Sequence, residues 1–316
     1  MKRILMTGAA LALAIGLGLG AEAQDKKSLA FVVNGASDFW KAAEAGVAKA
    51  QGELPNYELS FKYPESASAA VQQRLMDDLV AAGVAGILVS PDDPKHSTEA
   101  LNRIAGQIAL FTTDSDAPDS NRVVYIGSSN VEAGKQAGEL MKKALPDGGK
   151  CIMFVGILAN DNARERVEGI KESIAGSKIE ILDVREDDID MARAKRNVED
   201  AMAAHPDVDC LAGLYSYNTP RIYEVVKSSG QLGQVKIIAF DEDPITLGGV
   251  KEGSIVGTVV QQPYEWGYQG MKMMASYLEG DKSFIPGNKL IIIPTAIIDQ
   301  SNVDAFWAEL KARQGK

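Results

Sequence analysis

Short, uninterrupted apolar runs recur along this chain, each followed by a segment with helical spacing, and that recurrence limits the fold more than any other feature. The first run is Leu29–Val33. A strand covered by helices on both faces shows such a run rather than an alternation, so it reads as a buried parallel strand. Lys41–Gln51 then reads as a helix and Tyr57–Tyr63 as a strand, while Val71, Leu75, Leu79 and Ala82 mark one face of the next helix. Gly86–Ser90, Ile108–Thr112 and Val123–Ile126 are further strands, with an intervening helix beginning either at Asp93 with Pro94 in its first turn or at Ser97. After the helix Val131–Leu145, where Gly134 and Gly138 permit close packing, Pro146–Gly149 makes a break. The alternation then restarts with strands Lys150–Gly156, Lys178–Val184, Asp209–Gly213 and Val235–Phe240, separated by helices Asn162–Ala175, Met191–Ala204 and Thr219–Ser228.

Two such arrays in series predict an α/β protein of two doubly wound parallel-sheet lobes. The tail holds a strand Ile255–Val260, a helix Glu265–Leu278 and a strand-like Lys289–Ile293, too little for a third domain. It is expected to cross back and complete both sheets, which makes a hinge of three segments. The expected division is residues 24–128 with 262–293 in one lobe and 129–261 with 294–316 in the other.

The chain opens with Lys2 and Arg3, an uncharged segment to Ala21 and a small-x-small site at Ala21–Ala23, the pattern of a secretory signal peptide cleaved near Ala23/Gln24. Its loss removes two cations and one anion, so the net charge of −10 becomes −11, which argues against a nucleic-acid partner. Export to the periplasm permits disulfides. Cys151 and Cys210 nevertheless sit in strand-like runs, where buried unpaired thiols are expected; a disulfide requires the two strands to be neighbours, and there its geometry is strained.

No nucleotide-binding glycine loop, nucleophile elbow or HExxH motif is present, and two histidines and two cysteines offer no metal cluster, so no cofactor or metal is expected. The acidic run Glu186, Asp187, Asp188 and Asp190 lacks the glycine and distal glutamate of a calcium loop; it reads as a solvated connection capping the next helix, with room for one member in a cleft. The informative positions stand at strand carboxyl ends, where open α/β sheets bind ligands. Asn34, Phe39 and Trp40 follow the first strand, Asp114 follows Ile108–Thr112, and Gln261 ends Ile255–Val260. Asp243 precedes Pro244 and is the better helix cap, which frees Asp241 for a ligand. Asn162 with Glu165 resembles a capping box, placing Arg164 and Arg166 in a first helical turn where cations oppose the helix dipole. Residues two apart diverge on a helix, and Arg164 is the one expected to face the ligand. Carboxylates, amides and a guanidinium beside aromatic faces suit a polyhydroxylated molecule.

The ordered segments LAFVVNGASDFW, ILVSP, LFTTDSD, YIGSSN, GILANDNARERVEGI, HPDVDCLAGLYSYN, IIAFDEDP and TVVQQP resemble the ribose-type periplasmic sugar-binding proteins of ABC importers over nearly the whole mature chain. The resemblance implies two lobes closing on a sugar around a three-segment hinge. It also implies ligand contacts at Asn34, Phe39, Trp40, Asp114, Arg164, Asp241 and Gln261. Ser115 stands where ribose binders carry an arginine, Trp40 replaces a phenylalanine, and the loop Leu214–Asn218 differs, leaving Ser216 or Asn218 as the contact there. A different pentose, a small hexose or a polyol therefore fits as well as ribose. The implied partners are an inner-membrane ABC permease and a chemoreceptor, with the protein acting as a monomer. The alternative is an exported carbohydrate-active enzyme using Asp114 and Asp241 as acid and base.

Overall fold

The computed structural model describes residues 26–313; the expected signal peptide and its cleavage site lie outside them. The first sheet contains β1 (Lys27–Val32), β2 (Tyr57–Lys62), β3 (Gly86–Val89), β4 (Ala109–Thr112), β5 (Tyr125–Gly127) and β11 (Leu290–Ile292), in the order β11-β5-β4-β3-β1-β2. The second contains β6 (Gly149–Val155), β7 (Ile179–Glu186), β8 (Cys210–Gly213), β9 (Lys236–Phe240), β10 (Gly257–Val260) and β12 (Ala296–Ile298), in the order β12-β10-β9-β8-β6-β7. The two orders are the same once the lobes are superposed in sequence. Only the last strand breaks the pattern: β11 runs parallel to β5, whereas β12 runs antiparallel to β10.

Helices α1 (Trp40–Glu53), α2 (Ala69–Ala81), α3 (Thr98–Ala105) and α9 (Pro263–Leu278) cover the first sheet. The second is covered by α4 (Asn130–Ala144), α5 (Asp161–Ile174), α6 (Met191–Ala204), α7 (Asn218–Ser228), α8 (Pro244–Glu252) and α10 (Val303–Arg313). Each sheet thus buries an apolar face on both sides, which is why its inner strands are mostly apolar, while the edge strands β2 and β7 carry charged residues. The chain passes between the sheets after β5, after β10 and between β11 and β12. None of the described helices is long and apolar enough to cross a membrane.

Two helix pairs use glycine for close approach, one in each lobe. A Cβ on Gly46 would overlap the Tyr264 carbonyl, and one on Gly267 the Ala43 carbonyl, so α1 and α9 meet backbone to backbone. Gly134 faces the Arg166 carbonyl and Gly169 the Val131 carbonyl in the same way, as the glycines of α4 predict. That contact fixes where α5 presents its side chains. Ser97, not Asp93, precedes α3, and Asp243 caps α8 by accepting from Ile245 N–H. Cys151 and Cys210 are register partners on adjacent β6 and β8, and both thiols are free and buried.

Candidate functional site

The carboxyl ends of both sheets face one another across a cavity of about 290 Å³. The first lobe contributes Asn34, Phe39 and Trp40 from the end of β1 and the start of α1, Glu65 beyond β2, and Asp114 beyond β4. Trp40 is buried and donates its indole N–H to Asn34 Oδ1 at 3.2 Å, so the amide is held against the ring. Phe39 packs edge-on against Trp40 and Trp266. The second lobe contributes Asn162 and Arg166 from α5, Asp188 and Ile189 beyond β7, Tyr215, Ser216 and Tyr217 beyond β8, Asp241 beyond β9, and Gln261 beyond β10.

Asp114 and Asp241 occupy equivalent places, one just past the third strand in each sheet order, and both adopt the left-handed conformation at φ 57° and 67°. Aspartate tolerates that region better than most residues, yet such a backbone persists only where its surroundings hold it. The holding groups are equivalent too. Tyr125 on β5 donates to the Asp114 carbonyl at 3.2 Å, and Thr258 on β10 donates to the Asp241 carbonyl at 2.7 Å. The turns aim both carboxylates into the cavity, where Ser90 donates to Asp114 at 2.9 Å and Gln261 donates to Asp241 at 3.1 Å.

Arg166 stands between these acids. It is 2% exposed, and its Nε and Nη1 donate to Asn130 Oδ1 at 3.1 Å and Leu214 O at 2.6 Å. Its guanidinium lies 4.8 Å from the centre of the Phe240 ring. Burial raises the carboxyl of Asp114 above the ordinary range, and the Arg166 charge opposes that rise; the same two influences act on Asp241. Asn162 joins the lobes, with Nδ2 3.5 Å from both Asp114 oxygens while its Oδ1 accepts from Tyr215 Oη at 2.9 Å. Burial also raises Tyr215 and Tyr217, so both hydroxyls stay protonated donors.

Of the sequence-predicted residues, Asn34, Phe39, Trp40, Asp114, Ser216, Asp241 and Gln261 line the cavity. Two do not. Arg164 is half-exposed, donates to Ala159 O and pairs with Asp161 on the surface. The expected cap at Asn162 is displaced: α5 is preceded by Asn160, and Asn162 uses its side chain across the cleft instead. That shift leaves Arg166 about 40° from Asn162 around the helix and Arg164 nearly opposite, at 100° per residue. Asn218 is buried beneath the cavity, donating to Asp187 and accepting from Tyr215 N–H. It supports the wall rather than lining it.

Sequence reasoning missed Asn162, Tyr215 and Tyr217, and passed over Arg166. Within the acidic run, Asp190 caps α6 as expected and Asp188 reaches the cavity. Among the described residues, no three histidine, cysteine, aspartate or glutamate side chains converge for a metal.

Two α/β lobes enclosing a polar cleft at their strand ends define a two-lobed solute-binding protein. The chain belongs to the periplasmic binding protein family, whose domain profile matches residues 29–282. It is ribose-binding-protein-like. The ribose import binding protein of Salmonella typhimurium is 28% identical over 289 residues, covering 89% of this chain and 94% of that protein. An ABC transporter solute-binding protein from Burkholderia graminis, solved with D-arabinose, superposes with TM-score 0.83 at 28% identity, over 88% of this chain and 97% of its own. GanP, a glucose-galactose binding protein from Geobacillus stearothermophilus, superposes with TM-score 0.82 at 28% identity, over 88% and 98%.

Proposed function

We propose that this protein captures a small neutral sugar, a pentose or small hexose, or a polyol between its lobes and delivers it to an ABC importer. One observation carries the reading: Asp114 from the first lobe meets Arg166 and Asp241 from the second around one cavity. A ligand shifts an open–closed equilibrium only through contacts that differ between the states, and groups split between two lobes meet that condition. Sugar hydroxyls donate to the carboxylates and accept from the guanidinium, while Phe39 and Trp40 offer apolar faces to the ring. The lining holds Glu65, Asp114, Asp188 and Asp241 against the single cation Arg166, which favours neutral ligands over sugar phosphates and uronates.

Residues 24–128 with 262–293 form one closing body and 129–261 with 294–316 the other, hinged at the three passages between sheets. The signal-peptide pattern and the family support periplasmic localisation, with cleavage near Ala23/Gln24 and action as a monomer. A structural relative was solved as the XylFII–LytSN complex, which supports testing a receptor partner besides the permease.

Thermal-shift measurements against D-ribose, D-allose, D-arabinose, D-xylose, D-galactose and myo-inositol test the proposal, since a ligand of the folded state raises the melting temperature. At least one is expected to shift it, with the sugar recovered unchanged after denaturation. No shift with any of them refutes the ligand class, and chemical turnover of a bound sugar favours the enzyme alternative.

A further inference from the structure

The carboxylate of Asp187 is 1% exposed and stands behind the cavity lining, yet it organises the second lobe's wall of the cavity. Its Oδ1 accepts from Tyr217 Oη at 2.6 Å and from Ile189 N–H at 2.9 Å. Its Oδ2 accepts from Asn218 Nδ2 at 2.8 Å, and the other side of that amide, Oδ1, accepts from Tyr215 N–H at 3.0 Å. Every backbone or side chain so tied belongs to one of two loops that line the cavity, 187–189 and 215–218.

The first of these loops is costly to hold. Asp188 and Ile189 both adopt left-handed conformations, at φ 54° and 61°, and a β-branched residue there is an outlier that needs surrounding support. The Ile189 N–H to Asp187 bond supplies it. The second loop crosses the end of β6 closely. A Cβ on Gly156 would stand 2.6 Å from the Tyr215 ring and 2.8 Å from Tyr217 Oη, so the tyrosines settle where that residue leaves space.

We propose that Asp187 is the positioning residue for this half of the cavity, setting the places of Ile189 and Tyr217 directly and of Tyr215 through Asn218, and hence the shape of sugar accepted. The proposal rests on the sugar-binding reading above only for its effect on affinity. Its geometric part is independent of any ligand.

A reciprocal exchange of side chains tests both. Asp187→Asn turns one acceptor into a donor facing the Asn218 amide. Asn218→Asp sets two carboxylates against each other. The double variant Asp187→Asn with Asn218→Asp restores donor to acceptor throughout: the carboxylate now at position 218 accepts from the side-chain amide at position 187 and from Tyr215 N–H. In unliganded protein, hydrogen exchange at the Ile189 and Tyr215 amides is expected to quicken about tenfold in each single variant, the effect of one buried group left unpaired, and to return within about threefold of wild type in the double. Calorimetry with D-ribose and D-arabinose is expected to follow the same pattern, with about tenfold weaker binding in the single variants and recovery in the double. Unchanged exchange in the singles, or a double variant no better than either, overturns the positioning role. If neither sugar binds wild type while exchange follows the expected pattern, the positioning role stands and the choice of sugar is what fails.

Discussion

Replacing Arg166 while leaving Arg164 intact, and the converse, tests which face of α5 serves the cavity. Arg166→Ala removes a buried charged donor with two hydrogen bonds, to Asn130 and Leu214, and each such bond contributes roughly 1.5–3 kcal/mol. It also leaves Asp114 and Asp241 without the cation that opposes their rise. Breaking a buried ionic arrangement costs about 3–5 kcal/mol of stability. A guanidinium-to-hydroxyl bond lost from the complex weakens binding roughly ten- to a hundredfold.

Because a loss of folding imitates a loss of binding, Arg166→Lys accompanies it. Lysine keeps the charge, but its single ammonium cannot reproduce the fork that spans Asn130 and Leu214. It is expected to melt closer to wild type and still bind about tenfold more weakly. Arg164→Ala breaks a surface ion pair, worth about 0–1 kcal/mol, and an exposed hydrogen bond to Ala159 O, and is expected to leave the dissociation constant within about twofold. Calorimetry with the best ligand from the thermal screen, alongside melting curves of the unliganded variants, reads both effects. Weak binding in Arg164→Ala together with wild-type binding in Arg166→Lys would falsify the placement of α5.

Acid is expected to act with opposite sign on stability and on binding. Burial raises Asp187 to about 6 and Asp92 to about 7, so the folded state holds these protons more tightly than the unfolded chain, and unliganded stability rises as pH falls from about 8 towards 5. Asp92→Asn is expected to remove part of that rise in melting temperature; an unaltered slope refutes the assignment. Ligand affinity should instead fall over the same range, as Asp241, raised by burial to about 6, takes a proton and loses an acceptor, and calorimetry at pH 8 and 5 checks it. Gly134→Ala is expected to push α4 from the Arg166 backbone and weaken both stability and binding, whereas Gly248→Ala, in a helix with open space around it, should be neutral or stabilise by up to about 1 kcal/mol in a denaturant titration. Thiol titration should find neither Cys151 nor Cys210 reactive in the folded protein and both reactive in denaturant.

The strands and the return of the tail were legible because a doubly covered strand writes its burial directly as an apolar run. Asp241 was legible because Pro244 marks Asp243 as the cap, leaving the earlier acid free. The arginines were not, since Asn160, Asp161 and Asn162 are all competent caps, and a two-residue difference in helix start turns the other arginine inward. The register is fixed by Gly134 and Gly169, which pack α4 and α5 backbone to backbone and leave Asn162 facing Asp114 in the opposite lobe, a contact that no local pattern contains. Asp187 was hidden for a similar reason: four acids in five positions look alike until Tyr217 and Asn218, thirty residues on, single one out. The edge strand β12 escaped because it is three residues long and buries only Ile298, whereas α10 was legible and missed: Val303, Phe306, Trp307 and Leu310 stand at helical spacing and pack on the second lobe's core.

The two lobes repeat their acids but not the rest of the site. Each carries a left-handed aspartate just past a corresponding strand, its carbonyl clamped by a hydroxyl from the neighbouring strand. Only the first opens its first helix with Trp40, and only the second carries Arg166 on the helix that follows its own first strand. The charges therefore act on closure in two ways. Arg166 in the second lobe attracts Asp114 in the first, while Asp114 repels Asp241 and raises it further. Between the protein groups alone these influences oppose each other across a desolvated gap. On the function proposed above, a molecule with donors for both carboxylates and an acceptor for the guanidinium offsets the repulsion without cancelling the attraction, so the same set of groups would recognise a polyhydroxylated ligand and make closure depend on its presence.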